Sequence, residues 1–231
     1  MDLSFDSFVL AASTADLGDE PAARGVADAV EFRMDLADDP LSALDEYDGS
    51  LPILATNRAD WEGGEADASD AERLETLVAA AEFDAVGAVD IELACLRADV
   101  GVDAATRVRD AGATVVASVH DFDRTPARSE LIALLHEAAA LGDVGKLAVT
   151  AHSNADALRL LDVTHTATEW GDTVATMAMG EAGRHTRAVA PVYGSKIGYA
   201  PVDAADATAP GQYDIQTLRS LVDDLSSNPD V

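Results

Sequence analysis

The sequence predicts an α/β protein, a single-domain (β/α)8 barrel of the TIM type over residues 1–231. Three observations carry that prediction. Eight short apolar runs of strand type recur, alternating with segments of helical spacing, in a chain close to the roughly 250 residues that such barrels occupy. No run leads into the glycine fingerprint of a dinucleotide fold or into a P-loop, which disfavours an open doubly wound sheet. No linker rich in Pro, Gly or Ser divides the chain.

The runs are FVLAAS (8–13), AVEFRMDL (29–36), LPILATNR (51–58), AVDIELA (88–94), TVVASVHDF (114–122), VGKLAVTA (144–151), TVATMAMG (173–180) and VYGSKIGYA (192–200). Each is short and rich in branched or small apolar residues, as a strand covered on both faces requires. Helical spacing is clearest over 67–83, 127–142 and 153–171, and 214–225 supplies the last helix. Ser69 precedes a first turn carrying acidic residues, and Gly142 and Gly171 stand where helix C-termini are expected.

The formal charge of −28, from 43 acidic and 15 basic residues, repels nucleic-acid phosphates and anionic membrane surfaces. Neither is expected as a partner. The acids are scattered rather than gathered in a tail, and only two of the basic residues are lysines, so a hydrated coat suited to high salt is expected. A halophilic, cytoplasmic protein fits. Cys95 is the single cysteine, which excludes an internal disulfide, and its neighbours Leu93 and Leu96 predict a packed core thiol. The opening MDLSFDSFVLAAS lacks the basic leader of a signal peptide, and no apolar run approaches a membrane span.

In such a barrel chemistry gathers at the C-terminal ends of the strands. Those ends are rich here: Glu31, Arg33 and Asp35 in EFRMD, Arg58 in TNR with Glu62 just beyond, Asp90 and Glu92 in VDIEL, His120 in SVHDF, Lys146, and Arg187 in MGEAGRHTR. Alternation places Glu31, Arg33 and Asp35 on one strand face, and Asp90 with Glu92 on another. Any one of these carboxylates could be a structural partner, but a set over six successive strands points to a site.

Lys146 lies within a run that reads as buried. An ammonium there is costly unless paired or neutralised, so an uncharged amine in a dry pocket is expected, the form that attacks carbonyl compounds. His120, on the preceding strand, can take or give a proton near neutrality. Lys196, in YGSKIGY, reads as a solvent-facing loop cation. The histidines and Cys95 lack metal-ligand spacing, and no cofactor is expected.

Read in order, EFRMD, TNRADWEGG, VDIEL, SVHDFDRTP, GKLAV, MGEAGRHTR, YGS and TAPGQ resemble type I 3-dehydroquinate dehydratase over about residues 29–212. The resemblance implies a Schiff-base hydro-lyase of the shikimate pathway that takes 3-dehydroquinate as its small-molecule substrate. It gives Lys146 the imine, His120 the proton transfers, and Glu62 and Asp90 the tuning of the histidine. It assigns Arg187 to the substrate carboxylate and Glu31, Arg33 and Arg58 to hydroxyls or pocket shape. Thr208 and Gln212 match a closing lid. Relatives are often dimers, though no interface is legible in the sequence. A class I aldolase shares a buried lysine, and a barrel that binds a carboxylated metabolite without converting it stays open beside it.

Overall fold

The computed structural model describes residues 1–202 and 211–226. Eight parallel strands form one sheet in the order β7-β6-β5-β4-β3-β2-β1-β8. They are β1 (Val9–Thr14), β2 (Ala29–Arg33), β3 (Ile53–Thr56), β4 (Val86–Glu92), β5 (Thr114–Asp121), β6 (Val144–Thr150), β7 (Val174–Met179) and β8 (Ile197–Pro201). The last seam closes at one end only: Val174 bridges Ser195, the Lys196 amide donates to the Val174 carbonyl, and the Ser195 hydroxyl accepts from the Thr176 amide. Among the described residues no further β7–β8 pairing is made toward the end where the site lies.

The α-helices run α1 (Glu20–Ala23), α2 (Pro40–Asp45), α3 (Asp70–Ala81), α4 (Leu93–Leu96), α5 (Asp99–Asp110), α6 (Arg128–Leu141), α7 (Asn154–Glu169), α8 (Thr186–Val189) and α9 (Ile215–Ser226). Ser69 caps α3 as predicted, within a capping box completed by Glu72. Gly142 ends α6 in an extended rather than left-handed conformation. A Cβ there would fall 2.7 Å from that of Ala117, so close approach to β5 explains the glycine. Gly171, at φ +90°, follows the Trp170 cap of α7.

Side-chain alternation separates two cores. Val9, Ala11, Leu54, Ala88, Val116, Val144, Ala175, Met177 and Ile197 fill the lumen, where Leu3 and Phe5 pack with them. The alternate strand residues, among them Phe32, Ile53, Ile91, Val115, Leu147 and Val149, meet the helices. With both faces covered, the strands read as nearly unbroken apolar runs.

Several boundaries differ from the sequence reading. The run at 192–200 becomes strand only from Ile197; Ala190–Tyr193 forms a 3-10 turn that Gly194 ends at φ +103°. β2 stops at Arg33, and Met34–Leu36 turns out as a 3-10 helix. β3 ends at Thr56, which leaves Arg58 two residues beyond it. Among the described residues, no helix is long and apolar enough to cross a membrane.

Candidate active site

Lys146 projects into the lumen because its neighbours dictate it. Leu147 and Val149 pack against α6 and α7, while Val144 and Ala148 belong to the lumen cluster, so the residue between those two must face inward. The lysine is buried as expected, but it is not without charged partners. Nζ lies 2.9 Å from Asp90 Oδ2 and 3.9 Å from Glu31 Oε1, and it sits 4.2 Å from the Tyr199 ring centroid. Two carboxylates and an aromatic face are company for a cation. Glu31 is held in turn by hydroxyls, accepting from Ser13 at 2.5 Å and from Thr56 at 3.3 Å.

Asp90 is shared. Its Oδ1 accepts from Arg58 Nη2 at 2.6 Å and from the Ser118 hydroxyl at 2.6 Å, and Oδ2 takes Lys146. Burial opposes its ionisation, yet Arg58 and Lys146 outweigh that and hold the carboxyl far below the usual carboxylate range. Arg58 also donates to Glu92 Oε1 at 2.9 Å and to Ser118 at 2.7 Å. Burial works against its charge, but Asp90, Glu92 and Glu62 more than reverse the effect, so the guanidinium stays charged.

His120 stands one side-chain layer nearer the mouth. β5 and β6 align Ser118 with Lys146 and His120 with Ala148, which puts the imidazole above the lysine on the neighbouring strand. Its Nδ1 meets Glu62 Oε1 at 2.8 Å. Glu62 reaches it from the turn Asp60–Glu62, which Gly63 reverses at φ +81°; the Phe122 ring lies where a Cβ of residue 63 would stand and stacks on His120 at 5.9 Å. Burial pushes Glu62 up to about 8, with Arg58 pulling the other way and Glu92 and Asp90 adding to the rise. Burial, then Arg58 and Lys146, hold His120 well below its usual 6.5. Both shifts have one meaning: the buried pair avoids charge, with a proton on the carboxyl.

Arginines line the mouth. Arg33 is clamped by both oxygens of Asp35, at 2.9 and 2.6 Å, and the Glu65 amide donates to the same carboxylate at 3.2 Å. Arg187, on α8, is buried and lines the same cavity, yet no carboxylate faces it among the described residues. Burial alone pushes it down to about 10, and its Nε has no hydrogen-bond partner. Gln212 also lines the cavity. Thus Lys146, His120, Glu62, Glu31, Arg33, Arg58, Arg187 and Gln212 share one cavity, with Asp90 directly behind the lysine. Thr208 falls outside the described residues. Lys196 starts at the other end of β8, its Nζ on the Asp6 carbonyl, away from the cavity.

Sequence reading missed several members. Ser13, Thr56 and Ser118 bond the buried carboxylates, the Tyr199 ring lies against Lys146, and Met177 lines the same cavity. Ser118 was within reach, being two residues before His120 and therefore on its face. Arg73 on α3 was missed entirely, although it is fully buried against Glu92. Among the described residues, no group of three or more His, Cys, Asp or Glu is arranged to hold a metal ion.

Charged groups concentrated at the C-terminal mouth of a parallel eight-stranded barrel define a class first, that of (β/α)8-barrel enzymes. The model of the family described as type I 3-dehydroquinase matches residues 10–229. Curated relatives named 3-dehydroquinate dehydratase include one from Haloarcula marismortui, 59% identical over 98% of this chain and 100% of its own, and one from Haloquadratum walsbyi, 57% identical over 97% and 95%. The crystal structure of 3-dehydroquinate dehydratase from Geobacillus kaustophilus superposes with a TM-score of 0.86 at 29% identity, covering 97% of this chain and 93% of that one. The chain belongs to the type I 3-dehydroquinase family, a family of hydro-lyases.

Proposed function

We propose that this chain dehydrates 3-dehydroquinate to 3-dehydroshikimate through an imine at Lys146, as a cytoplasmic enzyme of the shikimate pathway. The observation that carries the reading is the convergence, in one cavity, of a buried amine, an imidazole–carboxyl pair and an arginine without a counter-ion among the described residues. The ammonium first gives up a proton to solvent; the free amine then adds to the C3 ketone, and the carbinolamine, protonated on its hydroxyl, loses water to give an iminium. The charges that accommodate the ammonium suit that cation equally, since Asp90 and Glu31 stay in place.

A protonated imine draws electrons, so the C2 proton becomes acidic. His120 Nε2 takes it, the C2–H electrons enter the ring as an enamine, and they return to expel the C1 hydroxyl. That hydroxyl departs as water with the proton now on the imidazole. Water then hydrolyses the conjugated iminium and frees Lys146. For the substrate carboxylate, Arg187 offers a planar fork in a dry setting, where a charge pair is strong.

Trapping tests the reading. Sodium borohydride added with 3-dehydroquinate should fix ligand mass on the peptide containing Lys146, and Lys146→Ala should lose both the label and turnover while keeping its fold. Label at Lys196, or turnover in Lys146→Ala near the normal rate, would sink it.

A further inference from the structure

We propose that Arg73, on α3 and outside the barrel wall, is a positioning residue for the lumen site: through Glu92 it holds Arg58, and through Arg58 it holds Asp90 and Glu62. The inference rests on the reaction proposed above. Arg73 is the largest fully buried side chain of the described residues and lies on the face of α3 that also buries Leu74, Leu77 and Val78. A buried guanidinium in an apolar helix face is costly unless its partners repay it.

Those partners lead to the site. Nη1 donates to the Asn57 carbonyl at 2.7 Å, one residue before Arg58. Nη2 lies 2.7 Å from Glu92 Oε2, with Cys95 Sγ at 3.3 Å and the partly exposed Asp70 at 3.4 Å. The contact with Glu92 is ionic rather than a well-aligned hydrogen bond, for Glu92 Oε2 and Arg73 Nε have no hydrogen-bond partner. The other oxygen of Glu92 accepts from Arg58 at 2.9 Å and from the Ala59 amide at 3.2 Å. One fully buried carboxylate is therefore gripped from both sides, by a cation outside the barrel and a cation inside it.

Charge counting shows what the outer cation does. Leaving aside the partly exposed Asp70 and Arg187, which no carboxylate faces among the described residues, the buried cations Arg58, Arg73 and Lys146 face Glu31, Asp90 and Glu92, and this set balances when the His120–Glu62 pair is neutral. Without Arg73, Glu92 keeps only Arg58, competing with Asp90 for it, and its unmatched charge acts on Glu62. The charged groups that bear most on the His120–Glu62 pair come from β2 to β6: Arg33 on β2, Arg58 after β3, Asp90 and Glu92 on β4, and Lys146 on β6. All but Arg33 and Lys146 touch Arg73 directly or through Glu92 and Arg58.

The test uses the full chain in high salt. Arg73→Met should lower kcat at least about tenfold, with KM changed far less, and move the rising limb of the pH–rate profile upward. Borohydride trapping at Lys146 should persist in it. Arg73→Lys, which keeps the charge, should restore most of kcat and the normal limb. The double variant Arg73→Met/Glu92→Gln removes both charges and covers the case in which the single variant does not fold. It should stay slow, with its limb at or below the normal position. Normal kcat and limb in a folded Arg73→Met, or normal kcat in the double variant, would overturn the proposal. Absence of turnover and trapping in the unsubstituted protein would instead overturn the reaction itself.

Discussion

Glu62 and His120 set a pH dependence whose sign follows from where the proton sits. With Glu62 raised to about 8 and His120 depressed, the pair at neutral pH is a carboxylic acid donating to Nδ1, which leaves the ring hydrogen on Nε2. That form has no base to offer the lumen. Above the Glu62 value the carboxyl ionises, Nδ1 carries the hydrogen toward it, and Nε2 presents a lone pair. For substrate-free protein, kcat/KM should therefore rise with pH and level off beyond about 8. In Glu62→Gln the amide cannot ionise, so the limb should vanish and kcat fall by about 10²-fold, the usual scale of a positioned acid or base. A profile flat from pH 6 to 9 in the unsubstituted protein would contradict the assignment. Ser118 and Thr56 add uncharged hydroxyl donors to Asp90 and Glu31.

At the scale of elements, strand alternation made most of the lumen readable in advance. Lys146, Glu31 and Asp90 sit where a period of two puts them, and the long helices begin and end near their caps. What escaped depends on contacts between distant segments. Arg58 looked like the end of a strand, but β3 stops earlier and the residue reaches the lumen from the turn that follows. Nothing in the sequence marks out Arg73 within an acidic helix; only the packing of α3 on β4 reveals its burial. The pairing of Lys146 with Asp90 could not be read because it joins residues 56 apart. Gly145 shows the same dependence and is testable. It precedes Lys146 and faces α6, where a Cβ would stand 2.6 Å from the Ala139 amide nitrogen and 2.8 Å from the Leu135 carbonyl oxygen. Backbone atoms cannot swing aside, so helix and strand would have to separate. Gly145→Ala should cost about 1–3 kcal/mol in denaturant unfolding, and kcat should drop as β6 tilts its lysine. An unchanged denaturation midpoint would show that α6 has room to shift.

Across the whole molecule the dominant fact is the charge of −28. Most of it lies outside the balanced lumen cluster, on a surface where repulsion falls as ions shorten its reach, from about 10 Å at 0.1 M to about 3 Å at 1 M. The acids even occupy positions that helix electrostatics disfavours. Asp45 ends α2, Asp110 ends α5, Glu169 ends α7 and Glu82 caps α3, all exposed and all at the negative end of a helix. Each costs about 0.3–1 kcal/mol at low ionic strength, and screening removes that cost. Such a surface suits a salt-rich setting, where the repulsion is screened. The thermal midpoint should therefore climb as potassium chloride goes from about 0.1 to 1 M, the range over which screening changes most. Replacing the four acids together by Asn or Gln should raise the low-salt midpoint and flatten that climb, without moving the pH–rate limb set in the lumen. If the substituted protein keeps the full salt dependence, repulsion at the helix ends is not its source, and salt must act through the apolar core or through ions bound elsewhere on the surface.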